Sequence, residues 1–331
     1  MSPRRLRTIA GVLAYDLVPF EWRLRRGRWT EIHNRNESIE TQGRAVLCPW
    51  RFTSELHIAK VVPSFSTRLM RAALRDWPMR FSDMPAASAN PEVSFLIGHR
   101  GTARLPHLLL TLRSIAAQES VPVECIVIEQ DSEPRIAGAL PKWVRYIHQP
   151  AGENEPYRRA ATFNEAVRHA RGRIVVPHDN DMLVPARYAA ELARHVDLGI
   201  EVLDLKRFIF YLTPDDSQQV LAYGTLTMNE QSESVIQNLR GGSVALTKEA
   251  WDAIGGFDES FVGWGGEDLE LWERAETRRT TRFGYLPIVH LWHAPQPEKL
   301  NVDEAPAVKR YNELARVPPR DRIARLKAQS R

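Results

Sequence analysis

The chain has 331 residues, is 43% hydrophobic and 26% charged, and carries a formal net charge of +4. Such a length buries a sizeable core in one large domain or two, and the composition is that of an ordinary globular protein. No apolar run approaches the roughly 18–20 residues that span a bilayer, and no basic motif interleaved with aromatics marks a nucleic-acid binder.

Two cysteines, Cys48 and Cys125, are too few for a disulfide framework and read as small buried apolar residues of a cytoplasmic protein. Of 45 basic residues 7 are Lys, leaving 38 Arg. Arg grips phosphates bidentately, so the bias reads either as a solvated surface or as basic ends that touch a membrane face peripherally.

Residues 1–92 form an N-terminal extension rich in Arg and Trp. Its apolar stretch IAGVLAYDLVPF is short, contains Asp16 and lacks a small-residue cleavage site, so no secretory signal is expected. RAVLCPWRF reads as a strand and STRLMRAALRDW as a short amphipathic helix. The Pro, Ala, Ser and Asn of FSDMPAASANPEV then mark a linker before residue 93.

From Val93 the pattern becomes regular. VSFLIG, ECIVIEQ, WVRYIHQ and RIVVPHDND are strand-like, and HLLLTLRSIAAQ and RAATFNEAVRHAR between them are helical. This alternation predicts an α/β fold with a mostly parallel sheet covered by helices on both faces. Ligands of such sheets bind beyond the carboxyl ends of the strands. There the chain places His99–Arg100, Glu129–Gln130–Asp131 and His178–Asp181.

Three short motifs carry the chemistry. In HDND, Asp179 and Asp181 share one side of an extended backbone and suit a divalent cation such as Mn2+ or Mg2+; an Asx turn with Asn180 and Asp181 capping the next helix is the plainer alternative. In WGGED, Gly265 and Gly266 permit a tight turn and close approach of backbone to a ligand. Glu267 or Asp268 could simply cap the helix that follows. Capping, however, needs neither the second carboxylate nor Trp264, whose face offers a platform for a sugar ring. In HLWH, His290 and His293 are ordered histidines when taken alone and metal ligands when taken with the two aspartates.

The segment LRGGSVALTKEAWDAIGGFDESFVGWGGEDLELWERA resembles the acceptor-side segment of GT-A glycosyltransferases, both the galactosyltransferase-type group and the bacterial family 2 enzymes. The resemblance runs from about Val93 to Pro297, which makes 93–297 the transferase domain and 298–331 a basic C-terminal helix or tail. It implies a GT-A, Rossmann-like fold and metal-dependent transfer of a sugar from a nucleoside diphosphate donor, a UDP-sugar. The acceptor it implies is a hydroxyl of a saccharide or lipid-linked saccharide.

By the same resemblance Asp181, His293 and His290 hold the metal. Asp179 serves the ribose or the metal, and His99, Arg100 and Asp131 grip the nucleoside. Trp264, Gly265, Gly266 and Glu267 meet the acceptor, and Asp268 is the catalytic base of an inverting displacement. The strand end IGHRG departs from the Pro-Thr-Tyr-Asn-like end of many family 2 members, which draws the match toward the galactosyltransferase group.

Retaining enzymes share this fold and similar motifs. A non-catalytic sugar- or nucleotide-binding scaffold would leave the intact Asp179, Asp181, Asp268 and His293 without a purpose. A nucleotidyltransferase would need a basic Gly-rich phosphate loop that HRGTARLP does not provide, and a metallohydrolase would give Trp264 and the glycine pairs no role.

Overall fold

The computed structural model describes residues 3–50, 52–86, 90–294 and 305–329. The expected domain end at Pro297 and the centre of the expected linker, Ala87 to Ala89, lie outside the described residues.

A seven-stranded sheet forms the centre. Its order is Thr280–Thr281, Val202–Leu203, Ala245–Thr247, Ile174–Pro177, Val93–His99, Val123–Asp131 and Arg145–Pro150. The strand Val93–His99 pairs in parallel with both Val123–Asp131 and Ile174–Pro177, as the alternation of strands and helices predicts. Only Ala245–Thr247 runs antiparallel to its neighbours.

Both faces are dry because successive side chains point to opposite sides. Phe95, Ile97, Cys125 and Val127 enter one core with Leu108 and Leu112 of the helix Leu105–Ala116. Leu96, Ile126 and Ile128 enter the other with Phe163 of the helix Arg159–His169 and Leu271 of the helix Glu267–Ala275.

A second sheet of five strands orders Ser54–Glu55, Ser232–Gln237, Lys206–Leu212, Leu286–His290 and Met182–Leu183. Its parallel pair, Lys206–Leu212 with Leu286–His290, is flanked by antiparallel neighbours. The N-terminal residues share its core: Phe20, Trp29, Leu69 and Met70 pack with Phe208, Phe210 and Val289. Cys48 and Cys125 are both buried and free.

The helix Glu267–Ala275 is anchored from below. Arg274 is fully buried and donates to the carbonyls of Ile254 and Gly256 at 2.5 and 2.7 Å and to both oxygens of Glu270. Arg322, from the C-terminal helix Pro319–Gln329, reaches Glu270 at 3.3 Å and Glu273 at 2.7 Å. Breaking a buried ion pair strands the remaining charge, at a cost of about 3–5 kcal/mol. Arg274→Met should therefore lower unfolding stability in urea by roughly 3 kcal/mol, at the lower end because Arg322 still faces Glu270. A loss below about 1 kcal/mol, the usual size for an exposed pair, would contradict the anchoring role.

Candidate active site

Beyond Pro177 the sheet ends in His178, whose buried ring is tied to Ser243 Oγ and to the Met182 carbonyl, both at 2.9 Å. The Asp179 amide donates to the Gly242 carbonyl at 2.8 Å. These bonds pin the HDND turn against the Gly241–Gly242 segment. Asp181 then precedes the short strand Met182–Leu183, which pairs with Leu286–His290 in the register His290↔Met182. That pairing, with the Leu291 amide bonded to the Asp181 carbonyl at 2.9 Å, carries HLWH to the aspartate. No helix follows directly for Asn180 and Asp181 to cap; instead Asn180 donates to His99 Nδ1 at 2.8 Å.

His293 Nε2 lies 3.2 Å and His290 Nε2 3.6 Å from the Asp181 carboxylate. One ligand atom from each of the three residues falls within 4.8 Å of the others. Asp181 Oδ1 is buried and has no hydrogen-bond partner, as an oxygen reserved for a cation would be. One carboxylate and two imidazoles make a donor set able to hold a divalent metal. Burial would raise the Asp181 pKa, yet His290, His293 and the Arg104 guanidinium, 3.2 Å from Oδ2, hold it well below the usual carboxylate range. Asp179 stands outside this cluster and faces Arg159.

Arg159 begins its helix and stacks on Phe163 with its guanidinium carbon 4.7 Å from the ring centre. Nη2 donates to Asp179 at 2.7 Å, while Nη1 donates to Glu267 at 3.1 Å and to Asp268 at 2.8 Å. One guanidinium thus joins the carboxylates of HDND to those of WGGED. The side chains of Asp179 and Asp268 are 32% and 28% exposed, those of Asp181 and Glu267 only 3% and 8%. The first two are therefore the acids open to an incoming molecule.

WGGED is shaped by its glycines. Gly265 and Gly266 have φ of +108° and +88°, and added Cβ atoms there would meet Val308 at 2.9 Å and Tyr311 at 2.7 Å. A Cβ on Gly241 would lie 2.0 Å from Asp268 Oδ2, so that glycine makes room for the carboxylate. The N-cap position is Gly266, which has no side chain to cap with, and Asp268 spends its carboxylate on Arg159. Trp264 is half-buried beside this turn.

The expected nucleoside residues surround the end of the first strand. His99 donates from Nε2 to the Gly101 carbonyl at 2.8 Å, and Asp131 accepts the Gly101 amide at 3.1 Å. Burial holds the His99 pKa below its ordinary value. Arg100 donates to the carbonyls of Glu155 and Gly152 at 2.5 and 2.9 Å. All three side chains are engaged in holding this turn. Arg159 and Arg104 are the residues that sequence reasoning missed, because an Arg in an Arg-rich chain has no spacing to mark it.

Burial, and then the charge of Asp268, push the Glu267 carboxyl up to about 7 against the pull of Arg159. Between its ordinary 4.5 and about 7, the folded chain keeps a proton that the unfolded chain has lost. The folded state binds more protons there, so stability should fall as pH rises through that window and level off above it. Glu267→Gln should remove this fall and exceed the wild type by roughly 2 kcal/mol at pH about 8 in urea titrations. Identical pH profiles for the two proteins would refute the burial of a protonated acid.

Residues 103–247 match the family described as glycosyl transferase family 2, and residues 228–293 match the N-terminal domain of galactosyltransferase. Beta-1,4-galactosyltransferase 5 of Danio rerio is 28% identical over 139 residues. That match takes in 40% of this chain and 29% of the relative, so the chain spans under a third of that protein's length. Among solved structures, a mannosyltransferase from Pyrobaculum calidifontis, in complex with GDP-Man and Mn2+, is 16% identical with a TM-score of 0.44, covering 80% of this chain and 81% of that one. The S. aureus TarS fragment 1–349 is 15% identical with a TM-score of 0.41, covering 61% and 59%.

Proposed function

We propose that the chain, matched over residues 103–247 by glycosyl transferase family 2 and over 228–293 by the N-terminal domain of galactosyltransferase, is a GT-A glycosyltransferase that transfers a hexosyl group from a UDP-sugar to a hydroxyl of a saccharide or lipid-linked saccharide, inverting the anomeric centre. The observation that carries this reading is the contact by which Arg159 joins Asp179, two residues from Asp181 of the Asp181–His290–His293 cluster, to Glu267 and Asp268.

Asp181, His290 and His293 would hold the metal. Their mixed oxygen and nitrogen donors suit Mn2+ better than Mg2+. A divalent cation held there would supply positive charge against the departing diphosphate. Asp179 faces the donor from the rim of the cluster. His99 and Asp131 shape the nucleoside end by fixing Gly101, and Arg100 fixes the loop beside it.

On the acceptor side the face of Trp264 receives the sugar ring, while the side-chain-free Gly265 and Gly266 let it come close to backbone. Glu267 orients an acceptor hydroxyl by hydrogen bonding. Asp268, partly exposed and oriented by Arg159, accepts the proton of the attacking hydroxyl. The oxygen lone pair forms the new bond to the anomeric carbon as the old carbon–oxygen bond breaks, its electron pair leaving with the diphosphate. The extension 1–92 and the C-terminal helices serve this domain as packing partners. Among the described residues no helix is long and apolar enough to cross a membrane.

A panel of nucleotide sugars with Mn2+, read as donor hydrolysis, identifies the donor. In calorimetry, UDP should bind far more tightly with Mn2+ than without, and Asp181→Ala should abolish the difference. Equal UDP affinity with and without metal would remove the cluster from the reaction.

For Asp268→Asn, metal-dependent UDP affinity should stay near wild type while transfer falls at least the roughly 10²-fold of a lost general base. Asn caps a helix about as well as Asp, so full transfer in this variant would return Asp268 to a structural role.

A further inference from the structure

The helix Pro3–Arg25 presents two apolar faces, and the core covers one of them. Val12, Phe20, Leu17 and Leu24 pack inward. On the other side Tyr15, Val18 and Trp22 are 68%, 72% and 43% exposed. Arg7, Ala14, Val18, Trp22 and Arg25 follow one another by seven, four, four and three residues, the spacing of a single helix face. All five are exposed. This outer face is therefore apolar and aromatic at its centre and cationic at both ends.

The charge is concentrated there. Residues 3–28 contain seven Arg against Asp16 and Glu21; Glu21 is already shared by Arg25 and Arg68, and Arg28 is held by Glu31 at 2.5 Å. Arg26 and Arg28 lie over the Trp22 ring at 4.7 and 5.2 Å, and Arg35 lies over Tyr15 at 5.2 Å. These contacts group the cations around the aromatic residues. The helix is too charged to span a bilayer. Its pattern, an aromatic–aliphatic stripe bordered by arginines, is that of a helix lying in the interface plane of a membrane.

We propose that this face docks the protein on an anionic lipid surface, with Tyr15, Val18 and Trp22 entering the headgroup boundary and Arg7, Arg25 and Arg26 meeting lipid phosphates. Charge complementarity selects the occupant: a second copy would bring an equally cationic face against this one, whereas an anionic leaflet neutralises it. The inference does not depend on the transferase reading.

The full chain is sedimented with vesicles of phosphatidylcholine alone and of phosphatidylcholine mixed with phosphatidylglycerol. Binding is expected only to the second, with release at high salt. Arg7→Gln combined with Arg25→Gln should weaken it by roughly 30-fold, the effect of removing two interfacial cations. Val18→Asp should reduce binding without changing the unfolding temperature, because the side chain is exposed. A fluorophore sensitive to polarity, attached at Val18→Cys, should shift to the blue on anionic vesicles; Cys48 and Cys125 are buried and leave the label specific.

Equal partitioning to both vesicle types, or an unshifted label on anionic ones, would overturn the proposal. So would a concentration-dependent dimer, formed without lipid, that Val18→Asp abolishes; the face would then belong to a second copy.

Discussion

Three acids, Asp179, Glu267 and Asp268, converge on one partly buried point, and a single guanidinium holds them together. Arg159 donates to Asp179, Glu267 and Asp268 within 3.1 Å from the start of one helix. Arg suits this task because its planar fork offers several donors in fixed directions and stays charged when buried. Phe163 supports the fork from beneath. Without this cation, the turn after the central strand and the start of the Glu267–Ala275 helix would be driven apart. The relation between the HDND turn and the WGGED helix start thus rests on one side chain.

Two other constraints hold the halves in register. Antiparallel pairing of Met182–Leu183 with Leu286–His290 brings residues more than a hundred positions apart to one cluster able to hold a metal. Beneath WGGED, Ala307, Val308 and Tyr311 crowd the glycine turn, and Arg274 and Arg322 fix the helix that carries Asp268. Backbone pairing sets the metal cluster, and buried charge pairs set the acid.

The sequence made the parallel sheet legible because each buried strand is a short apolar run, Val93–Ile97 above all, and each covering helix follows at a regular interval. The second sheet was less legible. Its strands come from five distant segments, and pairing across such separations leaves no periodic trace. At the site, Asp-x-Asp, HxxH and WGGED are compact enough to notice. Arg159 is not, because its meaning lies in the two other elements that it touches. Gly241 is similar: its role appears only when the Asp268 carboxylate is found filling the space of its missing side chain.

Asp268 as the proposed base implies displacement in one step from the side opposite the departing diphosphate. The anomeric configuration of the first-formed product tests this most directly. With the donor identified, proton NMR of the reaction in its early phase, before any mutarotation or further transfer, distinguishes the two outcomes. Inversion is expected: an α-linked donor should give a β-linked product. A product that retains the donor's configuration would contradict Asp268 as the base of a single displacement.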